Sequence, residues 1–175
     1  MARITTRVEY GIHCLLWLSH SGQASASSRD LAELQGVSPS FVAKIFQQLE
    51  KAGIVAARDG VRGGYRLAKK PELITVLALV DALEGDKPLF DCQEIRDRCA
   101  VFDGAPPRWA TDGVCAIHAV MLRAEKAMRE ELRAETLASI SNAVARKAPQ
   151  NFDDSIVRWL DDRAEKRVRT TSTKS

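Results

Sequence analysis

The stretch VSPSFVAKIFQQLEKAGIVAARDGVRGGYRLA, residues 37–68, decides the fold. Ser38 followed by Pro39 reads as an N-cap and a first-turn proline. Phe41, Ile45, Phe46 and Leu49 then recur at the spacing of one apolar helical face, up to a stop at Gly53. Ser40, Lys44, Gln47, Gln48 and Lys51 are left on the opposite face. Beyond this helix, Ile54-Val55-Ala56 and Tyr65-Arg66-Leu67 read as short strands around Arg58-Asp59-Gly60-Val61-Arg62-Gly63-Gly64, whose glycines permit a tight hairpin.

Upstream, Ser27-Ser28-Arg29-Asp30 has the serine-x-x-acid form of a capping box and opens a short helix, with Leu31 and Leu34 inward and Gly36 as its stop. Residues 5–19 form another helix, with Val8, Ile12, Leu15 and Leu16 on one stripe, and residues 72–84 return to helical periodicity. Two short helices joined by a Gly-Val-Ser turn and followed by a hairpin suit a helix-turn-helix with a wing. The expected fold is therefore mostly α: a winged helix-turn-helix over residues 1–84 with a two-stranded wing.

Charge agrees with a nucleic-acid role for that part. Residues 1–70 carry ten basic and five acidic side chains, whereas residues 71–135 carry eight basic and thirteen acidic. Ser38, Ser40, Lys44 and Gln47 at the start of the second helix are the candidates for reading base edges, and Arg58 and Arg62 in the wing for gripping phosphate. No stretch approaches the roughly 20 apolar residues of a membrane span, and MARITTRVEYGIH lacks the apolar core and cleavage site of a signal peptide, so a cytoplasmic protein with no membrane association is expected. There is no nucleophile elbow, phosphate loop or carboxylate pair, which argues against an enzyme.

Residues 85–115 interrupt the helical pattern with Pro88, Pro106 and Pro107 and contain Cys92, Cys99 and Cys115. A loop of this length is usually functional or disordered, and thiols within it suit iron-sulfur or zinc. His118, three residues after Cys115 on the following helix, shares a face with it and could join such a site. Glu9 and His13 lie four apart on one face of the first helix, a spacing that a metal needs and that plain surface pairs also show. Cys14 reads as a small core residue, His20 as solvated, and Trp109 and Trp159 as packing residues. Residues 116–148 follow as a helical region, in which Ile117, Val120, Met121, Ala124, Met128 and Leu132 make an apolar stripe suited to a long dimerisation helix. A C-terminal helix is expected over residues 149–168, packed through Phe152, Ile156 and Trp159 or Leu160, with a disordered tail at 169–175.

The segments VEYGIHCLLWLSH, DLAELQGVSPSFVAKIFQQLEKAGIV and RGGYRLAKKPELITVLALVDALEG resemble the IscR/NsrR/RsrR family of winged-helix transcription regulators, over residues 3 to about 135. FDCQEIRDR and GVCAIHAVM are more similar to the RsrR-type redox-sensing branch. That resemblance implies a homodimer on a palindromic operator of double-stranded DNA, and a 2Fe-2S cluster whose ligands would be Glu9, His13, Cys92 and Cys115, shared between subunits. A repressor controlled by the redox state or presence of the cluster is the function it implies. In that scheme Cys99 is a spare thiol. The alternatives are a nitric oxide or iron-status sensor with a three-cysteine cluster including Cys99, and a zinc-stabilised regulator using Cys92, Cys99, Cys115 and His118.

Overall fold

The computed structural model describes residues 4–20, 25–60 and 63–172. Its elements are α1 (Thr6–His20), α2 (Ser28–Gln35), α3 (Pro39–Lys51), β1 (Val55–Arg58), β2 (Gly64–Leu67), α4 (Val76–Glu84), α5 (Arg108–Thr111), α6 (Ala116–Ala134), α7 (Leu137–Ala145) and α8 (Phe152–Ser172). Single 3-10 turns lie at Pro71–Leu73, Arg96–Arg98 and Ala100–Phe102. The chain forms two compact units: one of Ile4–Gly85 with the residues from Leu132 onward, the other of Asp86–Glu131. No helix among the described residues is long and apolar enough to cross a membrane.

Local chemistry sets the helix ends in the larger unit. Ser27 caps α2 by accepting from the Asp30 amide, and Gly36 closes it at φ 71, where a side chain would be strained. Gly36 donates to the Glu33 carbonyl (3.1 Å) and Val37 to that of Ala32 (2.8 Å), and this turns the chain directly into α3. Ser38 occupies the N-cap of α3, but its hydroxyl makes no cap bond; it lies 3.0 Å from the Ser40 hydroxyl instead. The core joins α1, α2, α3 and α4 through Leu15, Leu16, Leu31, Val42, Ile45, Phe46, Leu49 and Leu79, all fully buried. Val42 supplies an inward position that the spacing had not marked, whereas Phe41 is half-buried and meets Tyr10 of α1 edge-on at 5.8 Å.

Strands β1 and β2 pair antiparallel, Val55 opposite Leu67 through Arg58 opposite Gly64. The ladder therefore reaches two residues farther than expected on β1, and Arg58 sits at its end, not in the loop. Beside the ladder, Ala26 and Tyr65 exchange amide bonds of 3.0 and 2.8 Å, which fastens the segment before α2 to the wing. Gly64 makes this possible: a Cβ there would lie 2.5 Å from the Ala26 carbonyl oxygen.

Other boundaries also move. Helix α4 begins only at Val76, because Ile74 is buried in extended backbone and Thr75 caps the helix by accepting from Ala78 (3.1 Å). Residues 86–115 are not a plain loop but carry two 3-10 turns and α5. Helix α8 runs on to Ser172, so residues 169–172 are helical where a disordered tail is expected; a Glu165–Arg169 pair (3.4 Å) at i, i+4 spacing supports that last turn. Residues 173–175 lie outside the described residues. Ile156 and Leu160 are buried, while Phe152 and Trp159 pack half-buried beside them.

Candidate functional site

The face of α3 left outside the core presents Ser40, Lys44 and Gln47, all exposed, with Ser38 just before them. Gln48 does not belong to this open set, since Arg7 of α1 donates to its side-chain oxygen at 2.5 Å. A concavity of about 540 Å³ between the starts of α1 and α3 is lined by Thr6, Tyr10, Ser38, Ser40, Phe41 and Lys44. Around the wing, a second concavity of about 640 Å³ is lined by Ser19, Arg58, Arg66, Lys69 and Lys70 among others. These four cations form no ion pair among the described residues. Arg62 lies outside the described residues. Sequence reasoning missed Arg66, Lys69 and Lys70; their clustering right after the hairpin glycines was the available signal. The result is a polar helix face next to a cationic wing, which suits base reading beside phosphate binding.

The residues singled out as metal ligands fall on both units. On α1, Glu9 is exposed and makes no hydrogen bond or ion pair among the described residues. His13, one turn on, keeps its Nδ1 buried without a partner. A buried ring nitrogen with nothing to bond is costly unless something outside the chain binds it or fixes the tautomer. Cys14 faces the core, where burial pushes its thiol up to about 12. His20 is not solvated: its Nδ1 is 3.1 Å from Asp153 of α8, and its Nε2 is buried.

In the smaller unit, Arg96 gathers the site. It makes a two-pronged ion pair with Glu94, whose φ of 43 is left-handed, and its guanidinium also donates to the carbonyls of Asp112 (3.3 Å) and Gly113 (2.9 Å). The Glu94 carboxyl is held below the usual carboxylate range, first by that hydrogen bond and further by the charges of Arg96 and His118. Arg96 is pushed up, first by its bond to Glu94 and further by negative charge on Glu94, Cys115 and Cys92. Cys92 and Cys115 are both half-buried in this unit. Cys99 is exposed. The His118 ring sits 6.0 Å from that of Phe90. Trp109 is an exposed ring, edge-on to Phe102 at 6.0 Å, and packs into no core. Among the described residues no three His, Cys, Asp or Glu side chains already converge as a metal site. Helix α6 buries none of its residues within the chain; Ile117 and Val120 are 63% and 51% exposed.

Comparison with known proteins places this geometry. The model of the family described as "Rrf2: Iron-dependent Transcriptional regulator" matches residues 4–143. The chain belongs to the Rrf2 family of transcriptional regulators. It is 35% identical over 139 residues to Protein rrf2 of Nitratidesulfovibrio vulgaris, covering 79% of this chain and 86% of that protein. It is 34% identical over 91 residues to the HTH-type transcriptional regulator IscR of Aliivibrio salmonicida, covering 51% of this chain and 54% of that one, so the IscR match spans about half of the relative. Among solved structures, T. potens IscR superposes with a TM-score of 0.63 at 25% identity, over 84% of this chain and 91% of that chain. CymR, the global cysteine regulator of B. subtilis, superposes at 0.64 with 24% identity, over 82% and 98%, and shows the fold. As an Rrf2 regulator with a DNA-binding fold, the protein is not an enzyme.

Proposed function

We propose that this Rrf2 regulator binds a palindromic operator as a homodimer and represses from it, and that a 2Fe-2S cluster held across the dimer by Glu9, His13, Cys92 and Cys115 sets its affinity, as in the RsrR-type branch. The observation that carries this reading is the buried Nδ1 of His13, which has no partner among the described residues, one turn along α1 from the exposed Glu9. The donor set fits the group. Two thiolates suit iron-sulfur chemistry, and Glu9 and His13 offer a carboxylate and an imidazole nitrogen that no neighbour among the described residues satisfies. When bound, the cluster would supply a one-electron couple, at a potential raised by nitrogen ligation. Arg96 stands ready to balance negative charge on the two thiolates, and the Glu94 ion pair fixes its position. Ser38, Ser40, Lys44 and Gln47 would read bases, while Arg58 and Arg62 with Arg66, Lys69 and Lys70 would hold phosphates. The open stripe of α6, with Ile117, Val120, Met121, Ala124, Met128 and Leu132, would seat the second subunit.

A second reading keeps a metal within the smaller unit, as zinc on Cys92, Cys115 and His118 with Cys99; what favours it is that His118 acts on Glu94, the partner of the same Arg96. The family description "iron-dependent" leaves room for iron-status sensing through a three-cysteine cluster. One experiment separates them: visible absorption, iron, sulfide and zinc content of protein purified without oxygen, before and after dithionite, for the wild type and for Glu9, His13, Cys92, Cys99, Cys115 and His118 variants. The proposal expects colour that bleaches reversibly and is lost in the Glu9, His13, Cys92 and Cys115 variants only. Loss of colour in Cys99→Ser supports the three-cysteine cluster, and colourless protein with stoichiometric zinc overturns the cluster altogether.

A further inference from the structure

Helix α8 lies outside the residues 4–143 that the family model matches, and nothing in the proposed DNA or cluster chemistry uses it. Its inner stripe changes character along its length. Phe152, Ile156 and Leu160 are apolar, and they are followed at helical spacing by Arg163 and Arg167. The first part meets α1: Phe152 lies edge-on to Trp17 at 5.9 Å, and Asp153 pairs with His20. The second part meets α2, the first helix of the helix-turn-helix. Arg163 pairs with Glu33 while its guanidinium sits 4.9 Å from the Trp159 ring centroid, and Arg167 pairs with Asp30. Asp30 is 6% exposed and is the buried charged residue among those described. A carboxylate so far from water needs a cation or several donors.

Asp30 is also the hinge of the cap. Its amide bonds the Ser27 hydroxyl (3.1 Å), and that hydroxyl donates back to Oδ2, the oxygen that Arg167 holds. Ser27 follows Ala26, whose amide and carbonyl are exchanged with Tyr65 in β2. A continuous chain of bonds thus runs from Arg167 through Asp30 and Ser27 to the root of the wing. We propose that α8 is a strap that positions the DNA-reading surface, with Arg167 acting through the Asp30–Ser27 cap on the wing and Arg163 acting through Glu33 on α2. Both arginines are positioning residues and touch no DNA. The strap works whether or not the chain holds a cluster.

The test uses the full chain and, as probe, the duplex that the wild type selects from a random-sequence pool, compared with its scrambled counterpart. Arg167→Ala and Arg163→Glu should each weaken binding to the selected duplex about tenfold and narrow its advantage over the scrambled one. The slope of affinity against salt should stay unchanged, because no phosphate contact is removed. Glu33→Arg should restore affinity in the Arg163→Glu background by more than it changes the wild type, a coupling that general loss of stability does not produce. Hydrogen exchange at the Ala26 and Tyr65 amides should speed up in Arg167→Ala without DNA present, which reads the strap apart from any DNA result. Unchanged affinity in both single variants overturns the proposal. So does a salt slope lowered by about one per arginine, which marks direct phosphate contacts, and so does failure of the charge swap.

Discussion

Cys14 shows how far one buried side chain can be followed. It is fully buried on α1, with its sulfur 3.9 Å from the Leu31 carbonyl, and burial pushes its thiol from 9.0 up to about 12. In the unfolded chain the same thiol loses its proton near 9, so above that pH the unfolded state binds fewer protons and native stability falls as pH rises. Cys14 alone then costs on the order of 1 kcal/mol by about pH 10. Urea unfolding of wild type and Cys14→Ala between about pH 8 and pH 10 checks this. The variant starts less stable, through the missing sulfur, and should lose on the order of 1 kcal/mol less over that interval; parallel curves would mean that the thiolate is not excluded. The core role of Cys14 was legible from its place beside the apolar stripe. The burial of His20 was not, because its partner Asp153 lies on α8, and no local pattern connects the two.

The proposed division of labour between α3 and the wing is measurable. Gln47 is exposed on α3 with an amide that can pair to a base edge, whereas Lys70 lines the hollow by the wing together with Arg58, Arg66 and Lys69. Gln47→Ala should alter the sequence preference at one position by about 1 kcal/mol, with the salt dependence intact. Lys70→Ala should weaken all duplexes alike and lower the salt slope by about one. Competition binding across a set of single-base variants of the selected duplex, repeated at two salt concentrations, checks both; equal losses on every sequence from both substitutions would show that α3 is not the reading element. The elements themselves were legible because their signals are local: the Ser27–Asp30 cap, the Gly36 turn, the periodic stripe of α3 and the hairpin glycines all act within a few residues. What could not be read were the long-range claims on polar groups. The Ser38 hydroxyl turns to Ser40, and Arg7 takes Gln48 from a helix far upstream. The bonding of Arg96 to Glu94 and to the carbonyls of Asp112 and Gly113 is likewise set by the folding of 86–115 and not by any spacing, while the ligand set rested on family resemblance.

For the whole molecule, the decisive surface is α6. A nineteen-residue helix that buries none of its side chains within the chain, and leaves Ile117 and Val120 largely open, would be poorly stabilised as a lone appendage in water. A second copy across a two-fold axis would cover the same stripe on both subunits at once. Ile117→Glu with Val120→Glu removes four apolar side chains from such a dimer and sets charges against each other there. At about 1 kcal/mol for each partly buried side chain, the loss is about 4 kcal/mol, or roughly a thousandfold in the dimer dissociation constant. Light scattering after size exclusion should show the wild type at twice the chain mass and the double variant at the chain mass, with the helical circular dichroism of the larger unit retained. Because the proposed ligands come from two subunits, the monomeric variant should also lose visible absorption although Glu9, His13, Cys92 and Cys115 are all still present. A monomer that keeps its colour would place the cluster within one chain, and a double variant that stays dimeric would move the subunit contact off α6.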